Sequence, residues 1–399
     1  MNPNLTHLFR MAQQPARRII GLMSGTSLDG LDVALCRCEG SGPGTRVAVE
    51  QFQTVPYPER VKNEIRQVFA KPEISFEQLC VLHPWIGHLH ADMVLDCLRQ
   101  WQVAPAEVDC IASHGQTVYH APQHQHHRPD FPNATLQIGD GDHVAMRTGI
   151  LTLSDFRQKH LAAGGEGAPL AVYGDYLLFS KPGEDRILLN MGGIANFTYL
   201  PGSLHLPDMF STDVGPGNTL LDAFTQDFFP GQSYDADGAL AAQGQVQEAL
   251  LTALLDHRFF ATSLPKTTGP ELFSRTYVQQ AQARSHTTGI SPYDLLATLT
   301  QFSAAGIVRA LQSSFPTPTL TVYASGGGMH NPVLMAALRQ RLPHCRFTTT
   351  DELGIQPDAK EAVLFAVLAN EALAGTPATF APGTPGLPAV SMGKISFTR

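Results

Sequence analysis

R-R-I-I-G-L-M-S-G-T-S-L-D-G-L-D (17–32) joins an apolar, β-branched run to a turn of Gly, Ser, Thr and Asp, and then enters a second apolar run, 31–36. Two apolar segments around a short glycine-bearing turn make a β-hairpin. The pattern returns at R-I-L-L-N-M-G-G-I-A-N-F-T-Y-L (186–200), where Gly192 and Gly193 form the turn. After each hairpin, short apolar strands (108–113, 134–138, 150–154; later 320–324) alternate with stretches whose apolar residues recur every three or four positions. That spacing predicts helices over 58–70, 75–101, 218–229, 240–258, 271–282, 292–312, 332–342 and 359–374. No period of 20–50 residues runs along the chain, which excludes a solenoid. The expectation is a mixed α/β protein of two similar lobes, 17–183 and 184–375, with a ligand between them and the last helix free to pack back on the first lobe. A Pro/Gly-rich tail, 376–399, closes the chain. Residues before Arg17 read as a loose leader, with Met11 as a candidate start.

Composition narrows the function. The 399 residues carry 27 Lys and Arg against 35 Asp and Glu, a net charge of −8, the opposite of a nucleic-acid footprint. Hydrophobic residues make up 43%, enough for a large core. No window of 18 apolar residues exists to span a membrane, and the leader lacks the apolar segment of a secretory signal. Six cysteines are too few for a disulfide scaffold, and Cys36 and Cys38, two apart on one strand face, read as buried thiols. A cytoplasmic protein is expected.

Charge is scarce, at 16%, and glycine is plentiful, at 35 residues. Five segments place glycine beside Ser, Thr, Asp or Asn: 24–30, 164–167, 192–196, 213–218 and 325–328. Bare backbone of this kind turns successive N–H groups inward around phosphate oxygens. None is a Walker A loop and none is G-x-G-x-x-G opening a helix. The histidines at 120, 124, 126 and 127 lie in a Pro-rich stretch without rigid ligand spacing and read as exposed loop residues.

G-L-M-S-G-T-S-L-D-G-L-D (21–32), S-H-G-Q-T (113–117), D-F-R (155–157), A-A-G-G-E-G-A-P-L (162–170), N-M-G-G-I-A-N (190–196), D-V-G-P-G-N (213–218), P-K-T-T-G (265–269), S-G-G-G-M-H-N (325–331) and K-E-A (360–362) occur in this order. The set resembles the anhydro-N-acetylmuramic acid kinase family. The resemblance implies the two-lobed, ribonuclease H-like fold of actin-like ATPases and sugar kinases, with the active site between the lobes. It also implies a reaction in which ATP, water and 1,6-anhydro-N-acetylmuramic acid give N-acetylmuramic acid 6-phosphate and ADP during cell-wall recycling. A homodimer is expected by resemblance alone.

By the same resemblance Asp213 is the catalytic base. Ser24, Gly25, Thr26, Ser27, Leu28, Asp29, Gly30, Leu31 and Asp32 hold the nucleotide, with Gly192, Gly193 and Asn196 in a second phosphate hairpin and Gly326, Gly327 and Gly328 at the ribose. Asp29 is the candidate to hold Mg²⁺ through a water. His114, Gln116, Arg157, Glu166 and Glu361 line the sugar pocket, where the Arg157 fork suits the lactyl carboxylate. Plainer roles stay open: turn capping for Asp29 and Asp32, a helix cap for Asp213, pairing with Asp155 for Arg157, and a solvated helix start for Glu361. The chain departs from the family at Lys159, His160, Glu166, Pro270 and Ser274, all expected in sugar-side loops, where His160 in place of an acid changes pocket charge. These departures motivate two alternatives: a kinase for another amino sugar, or a non-catalytic, nucleotide-gated sensor of anhydromuropeptides.

Overall fold

The computed structural model describes residues 2–25, 28–167, 170–269, 271–315, 319–376 and 390–398. Most of the expected tail lies outside these residues. Strands β1 (Ala16–Ser24), β2 (Gly30–Glu39) and β3 (Arg46–Pro56) form an antiparallel meander. β4 (Cys110–Ala121) runs parallel to β1, β5 (Ala134–Ile138) pairs with the far half of β4, and β6 (Thr152–Ser154) runs parallel to β4. The second sheet repeats this plan. β7 (Arg186–Met191), β8 (Ile194–Leu200) and β9 (Phe210–Pro216) form the meander, and β10 (Thr321–Ser325) and β11 (Arg346–Thr349) add in parallel beyond β7. Across the sheets the orders β3-β2-β1-β4-β6 and β9-β8-β7-β10-β11 match, which is the duplicated ribonuclease H-like sheet of the expectation. β12 (Lys394–Ser396) adds antiparallel to β6, so the chain beyond 389 returns to a sheet rather than remaining a tail.

Two compact units result: Met1–Ser180 with Gly354–Arg399, and Lys181–Leu353. The expected second lobe ran to 375, with its last helix free to pack back on the first lobe; the chain rejoins the first unit at Gly354. The reason is the helix Lys360–Ala374, whose residues 362–371 are all buried and which lies along β1. Contact is so close that a Cβ on Gly21 would stand 1.8 Å from Ala362 O. The far end is tied by Asn370, which accepts from Arg17 Nε at 2.7 Å, and by Glu371, which accepts from Gly42 N at 2.7 Å. On the opposite side of this sheet, the helix Phe76–Trp101 packs Ile86, Val94 and Leu98 against Ile20, Leu22 and Val33.

The expected loose leader is a helix, Pro3–Gln13, started by the Asn2 side chain and a proline in the first turn, and anchored by fully buried Met11. Cys36 and Cys38 are buried free thiols. In the second unit one core lies between the sheet and the helices Pro292–Ser314 and Pro332–Arg341, and a second gathers Phe224, Phe259, Phe273, Tyr277 and Phe302. The single helix expected over 240–258 is broken. Asp235 accepts from the N–H groups of Leu240 and Ala241, at 2.8 and 3.0 Å, holding short 3-10 turns before the helix Glu248–Leu255. No helix among the described residues is long and apolar enough to cross a membrane.

Candidate active site

In the first hairpin Thr26 and Ser27 lie outside the described residues. Around them, Leu28 and Leu31 are 4% and 0% exposed, so their side chains belong to the core and only backbone is left to meet a ligand. Ser24 is also buried: its hydroxyl donates to Gln116 Oε1 at 2.6 Å. Asp29 is exposed, and its carbonyl accepts from Tyr57 N at 3.0 Å. Asp32 accepts from Thr54 Oγ1 across the sheet at 2.6 Å. Burial, with Asp358 and Asp29 nearby, raises its carboxyl above the usual range against that hydrogen bond. Among the described residues no group of three His, Cys, Asp or Glu forms a metal cage. Mg²⁺ shared with phosphates keeps several waters and needs no such cage, so the exposed Asp29 carboxylate, without a side-chain partner among the described residues, fits an outer-sphere role.

The residues expected to line the sugar pocket meet at a β-bulge. Leu22 pairs with Ser113 but Ser24 with Gln116, so β4 carries one residue more than β1 between these pairs. Gly115 takes up the irregularity at φ 75°, where a Cβ would stand 2.5 Å from Ile138 O. Both flanking side chains turn inward, and His114 is 3% and Gln116 0% exposed. His114 Nδ1 lies 2.9 Å from Gly115 O, and its Nε2 lies 2.9 Å from Arg157 Nε. A carbonyl only accepts and a guanidinium only donates, so the imidazole is neutral with its proton on Nδ1. Burial and the Arg157 charge push its pKa down to about 3. Gln116 turns its amide to Gly25 O and Thr117 O, at 3.3 and 3.1 Å. Both residues were expected to touch the sugar; their polar atoms are instead engaged inside the protein.

Arg157 also donates from Nη1 to Gly167 O at 2.6 Å, and Nη2 has no partner among the described residues. Asp155 does not pair with it but with Lys394, at 2.7 Å. His160, one turn along the helix Phe156–Ala162, accepts from Gly167 N at 3.0 Å. One glycine is thus gripped from two sides. His160 is fully buried, and burial together with the Arg157 charge lowers its pKa to about 4, so it is neutral at pH 7 and adds no charge to a pocket. Glu166 points to solvent and lies 3.5 Å from His124. Glu361 makes no hydrogen bond or ion pair among the described residues. It is reachable by solvent but crowded by protein, and that crowding, with Asp32 near, raises its carboxyl against the pull of Arg157.

In the second unit three glycine turns converge at the ends of β7 and β10. Asn218 N donates to Gly192 O at 2.8 Å and Gly217 N to Gly193 O at 2.9 Å, locking the segment after Asp213 onto the hairpin. Asn218 Nδ2 reaches Met191 O at 3.2 Å, beside Gly327 and Gly328. Asn196 sits opposite Asp213 across β8 and β9. Ala195 pairs with Gly215 and Asn196 with Asp213, so Val214 is bulged out of the ladder and into the core. Asp213 Oδ2 accepts from Thr268 N at 2.8 Å, and Oδ1 has no partner among the described residues. Burial and neighbouring Glu271 raise its carboxyl above the ordinary range, against the Thr268 bond. It caps no helix, because Thr219–Phe228 begins behind Asn218.

One more departure gains a physical account. Ser274 caps the helix Arg275–Ser285 by accepting from Tyr277 N at 3.4 Å, a task asparagine performs equally well. Pro270 lies outside the described residues. Beside Gly327 a cavity of about 600 Å³ is lined by Asn218, Asp222, Tyr234, Asp237 and His330 among others. Of these, Asp222, Tyr234 and Asp237 stand in none of the motifs quoted from the sequence, and His330 only inside the one at 325–331; the Y-D-A-D-G run at 234–238 is the signal for Tyr234 and Asp237.

A sequence model of the family described as anhydro-N-acetylmuramic acid kinase matches residues 17–398. The anhydro-N-acetylmuramic acid kinase of Pseudoalteromonas atlantica is 54% identical over 399 residues, 100% of both chains. That of Caldanaerobacter subterraneus is 38% identical over 396 residues, covering 98% of this chain and 100% of the relative. A third, from Clostridioides difficile, is 37% identical over 89% of this chain and 91% of its own.

Proposed function

The chain belongs to the anhydro-N-acetylmuramic acid kinase family, and from that membership we infer its reaction: ATP, water and 1,6-anhydro-N-acetylmuramic acid give N-acetylmuramic acid 6-phosphate and ADP. Asp213 is the general base. The observation that carries this role is its carboxylate, with Oδ2 fixed by Thr268 and Oδ1 unpartnered, which suits acceptance of a proton from water. Water adds at the anomeric carbon, the anhydro C–O bond breaks, and its electrons leave on the 6-oxygen. That oxygen takes the γ-phosphoryl group and ADP departs.

Arg157 binds the lactyl carboxylate through Nη2, while its Nε and Nη1 are held by His114 and Gly167. Glu361 faces the sugar hydroxyls. The turns at Gly25, Gly192–Gly193 and 326–328 offer backbone N–H groups to the phosphates and ribose, and the cavity beside Gly327 takes the nucleoside end. Mg²⁺ accompanying ATP supplies positive charge at the β- and γ-phosphates, with Asp29 the residue to hold its water. The setting is cytoplasmic recycling of cell-wall sugars, and the active form a homodimer. The test is incubation with ATP and the anhydro sugar followed by mass spectrometry. A product heavier by one phosphate and one water is expected; phosphorylation without added water refutes the assignment.

A further inference from the structure

Behind the first glycine turn stand four polar side chains, each 3% exposed or less: His90, Tyr57, Ser24 and Gln116. They come from four places, the helix Phe76–Trp101, the residue after β3, β1 and β4. His90 Nε2 lies 2.7 Å from Tyr57 Oη, and Tyr57 Oη lies 2.9 Å from Ser24 Oγ. Ser24 Oγ is 2.6 Å from Gln116 Oε1, and Gln116 Nε2 is 3.3 Å from Gly25 O.

The far end of this line dictates the direction of every proton in it. Gln116 turns its NH₂ to two carbonyls, so its Oε1 faces Ser24 and can only accept. Ser24 Oγ also lies 3.2 Å from Gly30 O, but two acceptors cannot face each other unprotonated at 2.6 Å, so Ser24 gives its single hydroxyl proton to Gln116, Tyr57 donates to Ser24, and His90 donates from Nε2 to Tyr57. That tautomer leaves His90 Nδ1 a buried lone pair with no partner among the described residues. Stripping water from a ring nitrogen without replacing its hydrogen bond is destabilising, and leucine or phenylalanine would fill the same core position without that penalty. The histidine therefore serves something other than packing, and what it does besides pack is donate to Tyr57.

We propose that Tyr57, backed by His90, is a positioning residue for the nucleotide, acting through Ser24 and Gln116 to fix the Gly25 carbonyl, where the chain leaves β1. A turn already held in place loses less freedom on binding. The proposal rests on the reading of 24–32 as a phosphate turn.

The test is calorimetric binding of ADP to the full chain, with kinetics alongside. Tyr57→Phe and Ser24→Ala each weaken ADP by about tenfold and raise the KM for ATP in step, the loss of one well-placed buried hydrogen bond. The value of kcat at saturating ATP stays within about threefold of wild type, since the turn binds rather than reacts. The double variant is no weaker than either single one, because both cut the same line. His90→Phe gives a smaller loss, as Tyr57 keeps its bond to Ser24. Variants that bind ADP like wild type while melting earlier overturn the proposal, as do losses that multiply in the double variant. Should Tyr57→Phe not fold, Ser24→Ala removes one oxygen and no apolar packing, and decides the matter by the same readout. A wild-type chain that binds no ADP overturns the kinase reading itself, and the relay with it.

Discussion

Arg157 donates its Nε–H to Nε2 of a neutral, fully engaged His114 at 2.9 Å, so the guanidinium is fixed by the protein while its Nη2 has no partner among the described residues. The brace costs His114 its ability to protonate and gives Arg157 a set direction. With Gly167 O on Nη1, the cation cannot swing.

Arg157→Lys should therefore raise the KM for the anhydro sugar by about tenfold or more, because an ammonium cannot fill both the brace and the forked contact. His114→Phe should act in the same direction by freeing the guanidinium, with nucleotide affinity unchanged. Initial rates over a range of sugar concentrations check both. Unchanged sugar KM in Arg157→Lys would remove Arg157 from the substrate.

Asp213→Asn keeps an acceptor for Thr268 N but cannot take a proton. Turnover should fall by roughly 10²-fold or more while ADP still binds. Coupled detection of ADP release, beside calorimetry, measures the two together, and substantial residual turnover would count against Asp213 as base.

Much of this arrangement was legible in the chain, for reasons that differ by element. The hairpins at 17–32 and 186–200 announce themselves because their glycines and apolar flanks are local signals, and they locate both sheets. Gly115 was visible as a glycine, but the bulge it permits depends on which residue of β1 faces it. Sequence therefore placed His114 and Gln116 near the sugar and missed that their polar atoms turn inward. Tyr57 and His90 gave no signal, since a buried hydrogen-bond line joins residues up to 92 positions apart. The N-terminal helix was missed because its one anchoring residue, Met11, needs a neighbour supplied by the far end of the chain.

Three buried histidines of the first unit resist protonation: His90 and His160 titrate at about 4 and His114 at about 3, against ~6.5 in an unfolded chain. Above that unfolded value neither state binds the proton and stability is complete. As pH falls below it, the unfolded chain takes up protons that the fold refuses, so stability declines down to about 3 to 4. The loss approaches roughly 1.4 kcal/mol per pH unit for each histidine. Denaturant melts at pH 7 and 5 check this, and the first unit should be the one that weakens. Equal midpoints at the two pH values would contradict it.

Gly21→Ala tests the docking of the last helix. The new methyl would meet Ala362 O and Ala366 N at 1.8 and 3.1 Å, both backbone atoms with no rotamer to yield. The helix has to shift, at a cost at or above the ~3 kcal/mol upper range for overpacked cores. Glu361 rides on that helix, so sugar affinity should fall with stability. Chemical denaturation reads the first effect, and a wild-type midpoint would show that the helix moves freely on β1.

The raised carboxyl of Asp213 sets the acidic side of the rate profile. A general base works only when ionised, so kcat/KM should fall as pH drops through its pKa, and that limb lies above the ordinary carboxylate range because burial and Glu271 disfavour the anion. Glu271→Gln removes a nearby negative charge, leaves Thr268 N on Oδ2, and should move the limb to lower pH. Replacing Thr268 by proline removes the donor that favours the anion and should move it higher. The opposed shifts separate an effect on Asp213 from a general loss of stability, which would lower activity at every pH without displacing the limb. A limb that stays in place in Glu271→Gln would assign the acidic transition to a group other than Asp213.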